Sequence, residues 1–260
     1  MCGVFGAVSM NGNALSVPLL RRMALDAQSR GRHAHGLAWV TTGGALRHDK
    51  APGAFGDNLD LVDVAARSQA VIGHCRFTTM GDPKVNRNNH PHYVEDGLFV
   101  HNGKVENYGH LVSSRGLEPE TGCDSEVIGL MVEQYRGGLL QRIERSVNAV
   151  DGSMALLGLW SRPFRMAVVR RGRPLYGCAW DGVWYFCSLP WALPRAKRIR
   201  RDSVRIIRRS EGGVTQTIRE LTRARKEEAD PRRRGVSREY RDAESTRQAR
   251  GVVQRCWWAD

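Results

Sequence analysis

A chain of 260 residues with a formal net charge of +13 and 41 % hydrophobic residues is long enough for one full domain with a substantial core, plus further material. No apolar run reaches membrane-spanning length, and residues 1–10 carry no basic stretch ahead of an apolar core, so neither a span nor a signal peptide is read and a cytoplasmic location is expected. Residues 191–260 hold 20 of the 40 Lys and Arg against 10 of the 27 Asp and Glu, which puts the charge in the tail and leaves the body nearly neutral.

In chain order, residues 2–9 predict a strand, rich in Val and Phe and opened by glycines. Val17–Gln28 has helical spacing that gathers Leu19, Leu20, Met23 and Leu25. Strands follow at residues 36–41, 70–77 and 97–101. Residues 125–135 predict a second helix through Val127, Ile128, Met131 and Val132, with Asp124 at its N-cap. Further strands are read at 153–159, 165–170 and 183–188, and residues 204–207 and 213–218 are read as edge strands. Many strands with few helices imply an α+β layered domain over residues 1–221.

Residues 222–260 read as a basic extension, helical or mobile, that ends in Cys256, Trp257 and Trp258. Phosphate neutralisation could hold nucleic acid there, or an acidic protein surface could dock. Glu227, Glu228, Glu239 and Glu244 interrupt the positive stripe and weaken the nucleic-acid reading, leaving a solvated linker as the default. Two adjacent indoles suit docking on this domain or on a partner.

The six cysteines have no CxxC spacing and suggest no disulfide framework. Cys2 is set apart by its position. If Met1 is removed, Cys2 carries a free α-amine beside its thiol, with ordinary pKa values near 8 and roughly 8.5, so the amine can serve as a built-in general base. With Met1 attached that nitrogen is an amide and has no such capacity.

Further segments stand in order along the chain: Arg30-Gly31-Arg32-His33-Ala34-His35-Gly36, Gly73-His74-Cys75-Arg76-Phe77-Thr78-Thr79-Met80-Gly81, Asn89-His90-Pro91-His92, His101-Asn102-Gly103 and Cys123-Asp124-Ser125-Glu126. With Cys2-Gly3-Val4-Phe5-Gly6 before them, over roughly residues 2–195, they resemble the class II glutamine amidotransferases, most of all the glutaminase domain of glucosamine-6-phosphate synthases. The resemblance implies a four-layer αββα sandwich of the N-terminal nucleophile (Ntn) hydrolase type. It also implies Cys2 as nucleophile, and Asn102 and Gly103 as the oxyanion hole. L-glutamine would be held by Arg76 at its α-carboxylate and Asp124 at its α-ammonium, with Thr79 assisting and His90 positioning. Three positions depart from the glucosamine-type pattern: His33 for Asp, Phe77 for Trp and Met80 for His. They imply a loop over the bound glutamine that closes differently.

No cofactor is expected. His33/His35 and His90/His92 alternate without a carboxylate or cysteine at fitting spacing, so no metal is expected either. There is no phosphate-binding glycine loop and no GxSxG elbow. About 65 residues follow residue 195, too few for an acceptor domain of the kind such glutaminases are joined to. The expected activity is therefore a glutaminase subunit that hands ammonia to a separate synthase. The alternatives are a stand-alone γ-glutamyl amide hydrolase, or a catalytically silent binding module that works through its basic tail.

Overall fold

The computed structural model describes residues 1–210 and 213–221, and the expectations for the extension and its tryptophans lie outside them. Among the described residues, thirteen strands and five α-helices run in the order β1 (Gly3–Ser9), α1 (Val17–Gln28), β2 (Ala34–Val40), β3 (Leu46–Pro52), α2 (Asp60–Ala66), β4 (Ala70–Arg76), β5 (His92–Val94), β6 (Gly97–Gly103), α3 (Tyr108–Arg115), α4 (Glu126–Gln134), α5 (Leu139–Ala149), β7 (Met154–Ser161), β8 (Phe164–Arg171), β9 (Tyr176–Trp180), β10 (Val183–Cys187), β11 (Lys197–Arg198), β12 (Ser203–Ser210) and β13 (Gly213–Glu220).

The strands form two antiparallel sheets. One has seven strands in the order β11-β9-β10-β1-β4-β2-β3, and the other has six in the order β13-β12-β8-β7-β6-β5. Their inner faces meet over Val4, Val8 and Ile72 from the first sheet and Leu98, Val100, Leu157, Leu159 and Val168 from the second. The outer face of the first sheet packs on α1 and α2 through Phe5, Leu20, Met23, Val62 and Ala65. The outer face of the second is covered by α4 and α5 through Ile128, Met131, Ile143, Val147 and Val169. This is the expected four-layer αββα sandwich.

Side chains alternate across a strand, so β1 sends Val4 and Val8 between the sheets and Phe5 and Ala7 toward the helices. Every residue of β1 is buried as a result, and the strand reads as one apolar run. No helix among the described residues is long and apolar enough to cross a membrane.

Two expectations need correction. The segment read as an edge strand at residues 204–207 is interior: β12 pairs with both β8 and β13, so of the two segments read as edges β13 alone lies at one. Asp124 is not the N-cap of α4. The helix opens at Glu126 after Ser125, and the Asp124 carboxylate instead accepts from the Val105 N–H at 2.7 Å.

Candidate active site

Because β1 and β4 are antiparallel neighbours with Gly3 opposite Cys75, the start of β1 and the end of β4 fall together. Cys2 therefore lies beside Phe77, the first residue after β4. The Phe77 N–H donates to Cys2 Sγ at 3.3 Å, and the thiol lies 3.4 Å from the Phe77 carbonyl. Burial raises the Cys2 thiol pKa, while the Phe77 backbone bond and the charge of Arg76 lower it. No side chain fits at position 3, where a Cβ would lie 2.2 Å from the Ala27 carbonyl oxygen.

A run of hydrogen bonds links this end of the first sheet to the second. His74 Nε2 lies 3.0 Å from the His101 carbonyl oxygen across the sheets, and His101 Nδ1 lies 2.8 Å from Ser125 Oγ ahead of α4. Asn102, Gly103 and Asp124 thus stand at the same end as Cys2 and Arg76. The Asn102 amide is buried, and its Nδ2 has no hydrogen-bond partner among the described residues. An unpaired buried donor costs about 1–3 kcal/mol, so its retention calls for a ligand that accepts from it. Gly103 has no room for a side chain, since a Cβ would sit 2.4 Å from His101 Nε2 and 2.6 Å from the Ser153 carbonyl oxygen.

Arg76 is buried, and its guanidinium is fixed on three sides. Nη1 donates to Asn89 Oδ1 at 2.6 Å, while Nη2 reaches the carbonyl oxygens of Met80 and, at 3.0 Å, Gly81. Asp124 is also buried, and burial pushes its carboxyl upward against the lowering effect of the Val105 bond. The charges of Arg76 and Asp124 both reach the Cys2 thiol, with opposite signs.

Thr79 is exposed and makes no side-chain hydrogen bond among the described residues; it stands next to Met80, whose carbonyl accepts from Arg76. His90 is buried and stacked on His74 with centroids 4.0 Å apart. Burial holds His74 and His101 down at about 3 and His90 well below its usual value, so these rings stay neutral. His35 is occupied elsewhere, with Nδ1 3.1 Å from the Gly53 carbonyl oxygen.

Four partners were not assigned from sequence. Asn89 anchors Arg76 from thirteen residues away in the chain. Lys50 reaches the carbonyl oxygens of Asn89 and Pro91 at 2.7 and 3.1 Å, and burial brings its ammonium down to about 8. Arg30 Nε donates to the Cys2 carbonyl oxygen at 2.8 Å, and Arg173 Nη1 lies 3.0 Å from Met1 Sδ. Arg30 stood inside a recognised motif. Asn89 also stood in one, with no role given to it.

No family model matches the chain. In architecture it is similar to the glutamine phosphoribosylpyrophosphate amidotransferase of B. subtilis, with a TM-score of 0.69 at 21 % identity over 85 % of this chain and 49 % of that one. A glutamine aminotransferase class-II domain protein from Silicibacter pomeroyi aligns over 84 % of this chain and 99 % of its own, with a TM-score of 0.54 at 17 % identity. The fold is that of the Ntn hydrolases. In sequence the chain is 31 % identical over 211 residues to the glutamine–fructose-6-phosphate aminotransferase (isomerizing) of Aquifex aeolicus, covering 76 % of this chain and 34 % of that protein. Its Thermus thermophilus counterpart is 33 % identical over 209 residues. The chain belongs to the class II glutamine amidotransferases and spans about a third of the length of these curated relatives.

Proposed function

We propose that this chain hydrolyses L-glutamine to glutamate and ammonia through a γ-glutamyl thioester on Cys2. The observation that carries the reading is the meeting at one end of the sandwich of Cys2, a buried unpaired amide donor on Asn102, a buried guanidinium and a buried carboxylate. Arg76 and Asp124 supply opposite charges to the two charged groups of an amino acid, which excludes simple amides. Thr79, exposed in the loop whose Met80 and Gly81 carbonyls hold Arg76, assists at the α-carboxylate, and His90, stacked on His74, positions the segment that carries Asn89.

With Met1 removed, the Cys2 α-amine takes the thiol proton, and Sγ attacks the carboxamide carbon. Asn102 Nδ2 and the Gly103 N–H stabilise the oxyanion, a contribution worth on the order of a hundredfold in rate per donor. The protonated amine then returns its proton to the departing nitrogen, and ammonia leaves as the C–N bond breaks. Water, deprotonated by the same amine, hydrolyses the thioester, releasing glutamate and restoring the thiol. The ammonia passes to an acceptor enzyme outside this domain, which comprises residues 1–221, with residues 222–260 as an extension.

Purified Met1-processed protein should release glutamate steadily from glutamine, and Cys2→Ala should abolish release. Faster cleavage of another γ-glutamyl amide would replace glutamine as the substrate. A processed, folded protein inert toward both, alone and with candidate acceptor synthetases, overturns the proposal.

A further inference from the structure

Behind the amino-acid anchors lies a side-chain cluster for which the glutaminase chemistry has no use. His90, His92 and Cys123 are each 3 % exposed, and their ligand-capable atoms all lie within 4.8 Å of one another. Among the described residues, neither ring nitrogen of His90 has a hydrogen-bond partner, nor does Nε2 of His92. The Cys123 thiol lies 3.9 Å from Asp124 Oδ1, and the backbone and side chain of Ser125 bond to its sulfur. Three buried unpaired nitrogens in one place cost about 1–3 kcal/mol apiece, a standing penalty that a shared cation would remove.

We propose that His90, His92 and Cys123 form a binding site for a thiophilic metal ion, Zn(II) or Cu(I). Two imidazoles and a thiolate are borderline-to-soft donors that suit these ions and not Ca(II) or Mg(II), which take oxygen. Zinc–nitrogen and zinc–sulfur bonds of about 2.0–2.3 Å place tetrahedral ligand atoms roughly 3.5 Å apart, so the cluster contracts by about an ångström on binding. The thiol proton is expelled as the metal–sulfur bond forms. His90 is rigid for this purpose, stacked on His74 and set edge-on to His92 with centroids 4.4 Å apart. The surrounding charge is mixed: the Lys50 ammonium on the Asn89 and Pro91 carbonyls and the Arg76 guanidinium oppose a cation, and the adjacent Asp124 carboxylate favours it.

The ligands are joined by peptide bonds to the machinery above. Cys123 precedes Asp124, and His90 follows Asn89, whose side chain holds Arg76. Contraction around a metal pulls on both anchors, so the metal should weaken glutamine binding. That consequence rests on the glutaminase reading; the site itself does not.

The test uses full-length Cys2→Ala protein, which removes the catalytic thiol as a competing ligand. Equilibrium dialysis with Zn(II), Cu(I) titration against a chromophoric chelator, and Co(II) absorption as the spectroscopic probe are each run on this protein and on Cys2→Ala/Cys123→Ser. We expect one equivalent of Zn(II) or Cu(I) and a thiolate-to-cobalt charge-transfer band. Cys123→Ser should remove the band and lower affinity at least tenfold, and His92→Ala should lower affinity similarly. If both ions bind weakly, or bind equally well without Cys123, the site is overturned. Calorimetry of glutamine binding to the Cys2→Ala protein, with and without metal, separates the two readings: no glutamine binding in either case defeats the glutaminase reading and leaves the metal result standing.

Discussion

The imidazole of His33 lies on the ring of Phe77 with centroids 5.0 Å and planes 27° apart, and its Nδ1 accepts the Thr78 N–H at 3.0 Å. Both residues depart from the glucosamine-type pattern, and they are partners. His33 also donates its backbone N–H to the Arg76 carbonyl at 2.9 Å, so it grips the loop on both sides of the peptide that touches Cys2. A neutral ring nitrogen is needed as acceptor, and an asparagine amide oxygen can replace it. His33→Ala should lower kcat/KM for glutamine about tenfold, and His33→Asn should recover most of the loss. In a double-mutant cycle with Phe77→Ala, the pair should couple by about 0.5–1.5 kcal/mol. Independent effects at the two positions would show that the stack does not order the loop.

Asn102→Ala removes a donor that has nothing else to serve, since its Nδ2 has no partner in the described residues. The free enzyme should lose little stability, and kcat should fall by about a hundredfold or more with KM nearly unchanged, as for an interaction made with the developing oxyanion. Steady-state kinetics on a variant of unchanged Tm checks this. A rise in KM at constant kcat would instead make Asn102 a ground-state contact.

Asp124 presents a trade between stability and binding. Its carboxyl is pushed upward by burial, which means that the ionised form is disfavoured in the folded protein and lowers stability at pH values above its pKa. Asp124→Asn keeps an acceptor for the Val105 N–H and removes the charge. At pH 7 the ligand-free Asp124→Asn protein should therefore melt at or above the wild-type temperature, and the difference should vanish as pH falls below the ordinary carboxylate range near 4. Its KM for glutamine should rise by about a hundredfold or more, because the substrate ammonium loses a buried partner. A lower Tm at pH 7 would mean that the charge is already compensated in the free protein.

The legible parts of the fold are those buried on both faces. β1, β7 and β8 run as near-continuous apolar segments because one face meets the other sheet and the other meets helices. β3 escaped because Leu46–Pro52 is an edge strand carrying Arg47, His48, Asp49 and Lys50, and polarity there carries no period. α5 was readable and was missed: Leu139, Leu140, Ile143 and Val147 repeat at helical spacing directly after Gly137 and Gly138. In the site, the order of the motifs was visible in the sequence, but the partner atoms were not. Asp124 ahead of a helix looked like a cap, and only the fold places the Val105 N–H nearer to its carboxylate. The meeting of Cys123 with His90 and His92 likewise depends on α4 lying against β5, a contact that no local pattern encodes.

The α-ammonium of Met1 is lowered chiefly by burial, with the Cys2 thiolate opposing and Arg30 and Arg173 adding to the lowering. Arg30 is bonded to the Cys2 carbonyl, so in a processed chain the same guanidinium remains beside the Cys2 α-amine. A general base must be unprotonated, and neighbouring positive charge shifts its deprotonation to lower pH. Removing such a charge raises the amine pKa, so the acid limb of kcat/KM should move toward higher pH in Arg173→Gln. The plateau at alkaline pH should stay within about twofold of wild type, since Arg173 Nη1 contacts Met1 Sδ and not Cys2. The pH profile of the processed variant provides the check. An acid limb that stays in place while the plateau falls would assign Arg173 to substrate or loop positioning, and the base would then owe its pKa to burial and Arg30 alone.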